Sequence, residues 1–152
     1  MKLEQLYRKA VAAGIANDPR GPEEVRRVLD DARARSKKLE DDERDGWEED
    51  RLFNPYADTR LLAGDPATEV RRALVGIDMD VAEVLLAHTL NRDRAAGIDL
   101  VLAHHPQGVA LAQLSDVMRL QSDMLAAHGV NIAVAEQLLD KRIDEVGRRV
   151  LP

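Results

Sequence analysis

Ile98-Asp-Leu-Val-Leu-Ala-His-His-Pro106 is the stretch on which the fold class turns. Its first six residues follow Gly97, are rich in Ile, Leu and Val, and are too few for a helix, so they read as a buried strand. Pro106 biases His105 toward an extended backbone and cannot donate to a sheet ladder, which stops the strand there. The two imidazoles are thereby placed at the carboxyl end of a buried strand, the edge at which open α/β sheets bind their ligands.

Working outward, the same kind of run recurs on both sides. Arg72-Ala-Leu-Val-Gly-Ile77 reads as a strand ending at Asp78, and Val130-Asn-Ile-Ala-Val-Ala135 as a third ending at Glu136. Helical spacing fills the intervals. It runs over 81–91 (Ala82, Leu85, Leu86, Thr89), 110–128 (Leu111, Leu114, Met118, Leu125, with Gly129 as the stop) and 137–150 (Leu138, Leu139, Ile143, Val146). Strand and helix alternating three times call for a parallel sheet with crossover helices. The expected fold is therefore α/β, a single domain over 1–152 with a βαβαβα core at 70–152 and a helical layer at 1–50. Within that layer, Leu3, Leu6, Tyr7, Ala10 and Val11 mark a helix stopped by Gly14. Residues 22–49 read as one long, wet helix with a narrow seam through Val25, Val28, Leu29, Ala32, Ser36 and Leu39. Its charge run is a solvated face or a contact with another subunit. Between the two parts, 52–66 carries the turn signals Asn54-Pro55 and Asp65-Pro66. It reads as an anchoring loop, with Asp58 or Arg60 as residues that could instead reach a ligand.

Composition narrows the function classes. The 152 residues are 45% hydrophobic and 33% charged, enough for a core without disulfides. There is no cysteine, which excludes thiolate metal sites and a cysteine nucleophile and suits a reducing, cytoplasmic setting. A net charge of −6 disfavours a general nucleic-acid binder. The Met1 end has no basic segment followed by an apolar run, so no signal peptide is expected, and no stretch approaches the roughly 20 apolar residues of a membrane span. Val75-Gly-Ile-Asp78 has one glycine where a dinucleotide or phosphate loop needs several, and Ser115 and Ser122 lack a glycine-rich elbow.

What remains is a set of imidazoles and carboxylates. Because parallel strands end on one edge, Asp78, His104, His105 and Glu136 could meet there, with Asp80 and Asp140 just beyond. Imidazole with carboxylate and no thiolate suits zinc, iron, manganese or cobalt, and two neighbouring metals bridged by water are a common hydrolytic centre. The competing reading is that the histidines simply cap the strand with hydrogen bonds. His88 and His128 read as helix-end residues, and Asp99 as a surface or edge residue.

At His104-His-Pro106 a family resemblance enters. Asp99-Leu-Val-Leu-Ala-His-His-Pro106, preceded by Leu74-Val-Gly-Ile-Asp78, resembles the Ngg-one-interacting-factor-three-like proteins, also called type-two GTP cyclohydrolase homologues or dinuclear metal centre proteins. Asp18-Pro-Arg20, Asn54-Pro-Tyr-Ala-Asp-Thr-Arg60, Val117-Met118 with Gln121, Gly129-Val-Asn-Ile132 and Ala135-Glu136 are similar to one bacterial branch of it. The resemblance implies an α/β fold, ring-shaped homo-oligomers and a two-metal site for divalent ions (zinc, iron or manganese) with His104 and His105 as ligands. The family's Ala-His-x-x-x-Asp stretch corresponds to Ala135-Glu-Gln-Leu-Leu-Asp140, so Asp140 is the nearest equivalent of a third ligand and Glu136 stands where the histidine would be. Asp140, Glu136 or neither serves. Family members are usually about twice as long and carry their remaining ligands late in the chain, so this sequence looks like an N-terminal portion with an incomplete site. The expected function is a metal-binding protein, as a cyclohydrolase-like hydrolase of a nucleotide or small heterocycle. The alternative is a non-catalytic metal-binding scaffold or protein-interaction module. No residue stands out as a catalytic base.

Overall fold

In the computed structural model of the chain, residues 1–94, 97–105 and 107–150 are described. Pro106, on which part of the strand ending was read, lies outside them.

The N-terminal layer starts with α1 (Leu3–Ala16), which buries Leu3 and Val11. Gly21 precedes α2 (Pro22–Ser36), where Pro22 fills the first turn and only Val25 of the seam is fully buried. The long helix read over 22–49 is corrected here. It stops at Ser36 and is followed by a short α3 (Asp41–Arg44) and a 3-10 turn at Glu49–Leu52. Past Leu39 the sequence has charge but no apolar stripe, so nothing there repays the ordering of further helical turns.

The α/β part is a βαβ unit, and the fold class expected from the alternation holds. β1 (Ala73–Gly76) and β2 (Leu100–Ala103) pair in parallel, with Ala73 opposite Leu100 and Gly76 opposite Ala103. Between them runs α4 (Val81–Arg94). Asp80 precedes it, its Oδ1 accepting from Val81 N–H at 2.7 Å while Glu83 Oε2 reaches back to accept from Asp80 N–H at 2.9 Å. Asn91 closes the return by exchanging two side-chain bonds with the Ile98 backbone, at 2.9 and 2.8 Å. Met79 is buried beneath Gly76, where a Cβ would meet its Sδ at 2.5 Å, so a side chain at this position would have to displace the methionine.

The C-terminal part is helical: α5 (Gly108–Ala112), α6 (Leu114–Met118), α7 (Leu120–Ala127) and α8 (Ile132–Val150). The single helix read over 110–128 is thus interrupted at Gln113 and Arg119. α8 packs on all three shorter helices, with Ala135 and Ile143 buried. The third strand, read over Val130–Ala135, is corrected: helix begins at Ile132. Gly129 adopts φ +90° and ends α7. Asn131 then caps α8, its Oδ1 accepting from Ala133 N–H at 3.0 Å and its carbonyl from Ala135 N–H at 2.9 Å. A helix stop and an Asn cap two residues apart outweigh the β-branched alternation of a six-residue window. The sheet among the described residues is therefore two-stranded, not three.

Two apolar faces stay open. On the sheet, Val75 and Leu102 lie opposite each other in register and both are exposed, as is Ile77 beyond the strand end. On α4, Val81 and Leu85 share one face and are 77% and 60% exposed. No described helix is long and apolar enough to cross a membrane.

Candidate functional site

Two further backbone bonds follow the end of the parallel ladder. His104 N–H donates to Gly76 O at 2.9 Å and His105 N–H to Ile77 O at 2.8 Å. These bonds fix both histidine backbones beside the segment that leads to Asp78. Asp78 Oδ1 lies 2.8 Å from His105 Nδ1, a contact in which the carboxylate accepts from the ring and fixes its orientation, with Nε2 turned away from the carboxylate. The two rings lie side by side, centroids 5.3 Å apart and planes tilted by 31°. A continuing strand would have sent them to opposite faces. All three side chains are exposed to solvent.

The acids beyond the pair are placed differently from the sequence reading. Asp80 is spent on the Val81 N–H at the start of α4. Glu136 and Asp140 follow no strand. They lie one turn apart on α8, both exposed, on a helix packed against α5, α6 and α7. Among the described residues no three His, Cys, Asp or Glu side chains gather where they could hold one ion. Two imidazoles and an orienting carboxylate are thus what this edge offers, a partial ligand set that by itself does not fit a complete metal centre. Asp99 has a structural task. Its Oδ2 accepts from Arg71 and Arg72 N–H at 2.9 and 3.1 Å and clamps the entry to β1, and these bonds hold its carboxyl below the usual range.

The loop read as an anchor is one. Arg60, nearly buried, donates to Asp50 (2.6 Å), Glu48 (3.1 Å), Gln113 (3.0 Å) and Ala57 O (2.9 Å), so its donors are consumed inward. Buried Asn54 donates to Tyr7 Oη and Thr59 O, both at 2.7 Å, and accepts from Tyr56 N–H at 2.9 Å. Tyr7 completes the network by donating to Asp50 at 2.6 Å. Burial, then the bond to Asp50, pushes the Tyr7 hydroxyl far above its ordinary range. A second buried knot joins α1's exit to the loop. Arg20 forks onto Asp18 at 3.0 and 2.8 Å, and Tyr56 Oη donates to the same carboxylate at 2.9 Å.

Against these two knots lies a cavity of about 370 Å³. α2 contributes Val28 and Arg35, the segment after α3 contributes Trp47, the loop contributes Tyr56, and the α6–α7 junction contributes Arg119 and Leu120. Sequence reading did not find it. Its lining comes from four separated stretches whose only shared signal is the clustering of half the scarce aromatics, Trp47 and Tyr56, among arginines.

No family model matches the chain, and no curated protein or solved structure matches it either.

Proposed function

We propose that the chain contributes His104 and His105 to a divalent-metal centre, with Asp78 orienting His105, and that the remaining ligands come from outside this set. The observation that carries the proposal is the 2.8 Å Asp78–His105 contact at the carboxyl ends of β1 and β2, beside a second exposed imidazole. Carboxylate on one ring nitrogen and a lone pair on the other is the arrangement by which proteins prepare histidine for a metal. Asp140 and Glu136, on α8, are the acids that the resemblance offers; a second copy or additional chain could supply others. Completed in that way, the centre would belong to the class that activates water for hydrolysis, which agrees with the cyclohydrolase-like expectation. No reaction step follows from the residues present.

The test is metal content. Purified protein, equilibrated with zinc, iron(II) or manganese and then desalted, should retain metal, and His104→Ala/His105→Ala should lose it. Asp78→Asn should weaken retention about 10- to 100-fold, the usual effect of losing an orienting carboxylate. Equal retention by all three proteins would overturn the assignment, and no retention by the folded wild type would overturn a centre completed within this chain or by a second copy of it.

A second reading, an assembly module forming homo-oligomers, is favoured by a separate observation. A two-stranded parallel sheet with Val75, Ile77 and Leu102 open to water departs from the rule that parallel sheets are covered on both faces. The exposed pair Val81 and Leu85 on α4 adds a second uncovered apolar face.

A further inference from the structure

The charges around the cavity do not all have internal partners. Arg20 is held by Asp18, Arg51 by Glu48, and Arg60 by Asp50 and Glu48. Of the acids in the lining, Asp31 takes Arg27 at 3.1 Å. Two cations, Arg35 and Arg119, and one acid, Asp123, are left. Among the described residues none of these three side chains has a hydrogen-bond or ion-pair partner, and all three line the same cavity. A second observation concerns the same wall. The Trp47 indole N–H is buried with no acceptor among the described residues. A buried donor left unpaired is destabilising and uncommon, so its presence calls for an explanation.

We propose that this cavity binds a small aromatic anion: a planar ring carrying a phosphate or carboxylate, held by Arg35 and Arg119 at the anionic end and flanked by Trp47 and Tyr56. Guanidinium groups match both oxyanions by paired hydrogen bonds. Val28, Leu120 and the two aromatic residues give the ring an apolar bed. A volume of about 370 Å³ admits a small molecule and falls within the range of ligand pockets. Binding an acceptor-bearing ring beside Trp47 offers its indole N–H a partner once the side chain shifts. The proposal stands apart from the metal edge and does not depend on it.

Trp47 is the only tryptophan in the chain, so its fluorescence reports on this cavity alone. Full-length protein titrated with phenyl phosphate or benzoate should show a saturable change in emission, and whichever probe binds tighter identifies the anionic group. Benzyl alcohol, which lacks the charge, and inorganic phosphate, which lacks the ring, should bind at least tenfold more weakly. Arg35→Ala/Arg119→Ala should weaken the better probe at least tenfold while circular dichroism and melting temperature stay unchanged. Arg27→Ala, on the same helix but outside the cavity lining, should bind as the wild type does. Absence of a saturable change with both aryl anions, equal binding by the double variant, or an equal loss in Arg27→Ala would each overturn the proposal. Should the double variant fail to fold, Arg35→Lys and Arg119→Lys read singly replace it, and undiminished binding in both would overturn it.

Discussion

Asp18 is the residue through which acid is expected to act. Its carboxylate is almost wholly buried, and the Arg20 fork beside it, with the Arg20 N–H and Tyr56 hydroxyl bonds, holds its pKa below the ordinary 3.8 against the opposing effect of burial. A carboxylate depressed on folding contributes stability that is fully present above its unfolded pKa and is lost as pH falls through the folded one. Urea midpoints should therefore be flat above about pH 5 and fall below about pH 4. Asp18→Asn should lower stability at neutral pH and flatten that acid limb, and an unchanged slope in the variant would remove Asp18 from the explanation. Tyr56 acts at the other end of the scale. Burial, then the bond to Asp18, pushes its hydroxyl from 10.0 up to about 12, so its contribution is whole below pH 10 and fades as pH climbs toward 12. Neither effect was readable from the sequence, since Asp18 and Tyr56 are 38 residues apart and meet only when the loop folds back on α1's exit.

At the scale of elements, Gly129 tests the correction at the third strand. Its φ of +90°, with Gly129 N–H bonded to Ala126 O at 2.9 Å and Val130 N–H to Leu125 O at 3.0 Å, ends α7 and turns the chain into α8. A Cβ there would meet nothing within 4 Å, so Gly129→Ala carries backbone strain alone and should cost about 1 kcal/mol in chemical denaturation. A loss near zero would mean that the turn relaxes. β1, α4 and β2 were legible because short apolar runs bounded by Gly97, Asp78 and the histidine pair leave little other choice. The 130–135 run deceived because Val, Ile and Val at alternate positions fit a strand, whereas Asn131 and the buried Ala135–Ile143 stripe fit a longer helix. Correcting that one misreading moves Glu136 from a sheet edge to a helix face and leaves Asp140, already read on the helix, with no strand end beside it. His104, His105 and Asp78 were found together because the strands deliver them by topology. The cavity was missed because its pieces have no common period.

At the scale of the whole molecule, the open faces of the sheet and α4 should govern association. Wild-type protein is expected to elute as an oligomer whose population rises with concentration, and Val81→Lys/Leu85→Lys to shift toward the 16.9 kDa monomer. Light scattering coupled to size exclusion checks this, and a wild-type monomer at every concentration would discard the assembly reading. One last feature acts in time rather than in space. The first residues pair like a strand with the segment ahead of β1: Val70 N–H donates to Met1 O at 2.8 Å, and Leu3 N–H to Thr68 O at 2.9 Å. The terminal amine reaches Val70 O across 69 residues of sequence. At a ribosomal rate of roughly 5–20 residues per second, α1 leaves the tunnel several seconds before its docking partner exists. During that interval Leu3, buried in the finished fold, lacks the segment that its backbone N–H will join at Thr68.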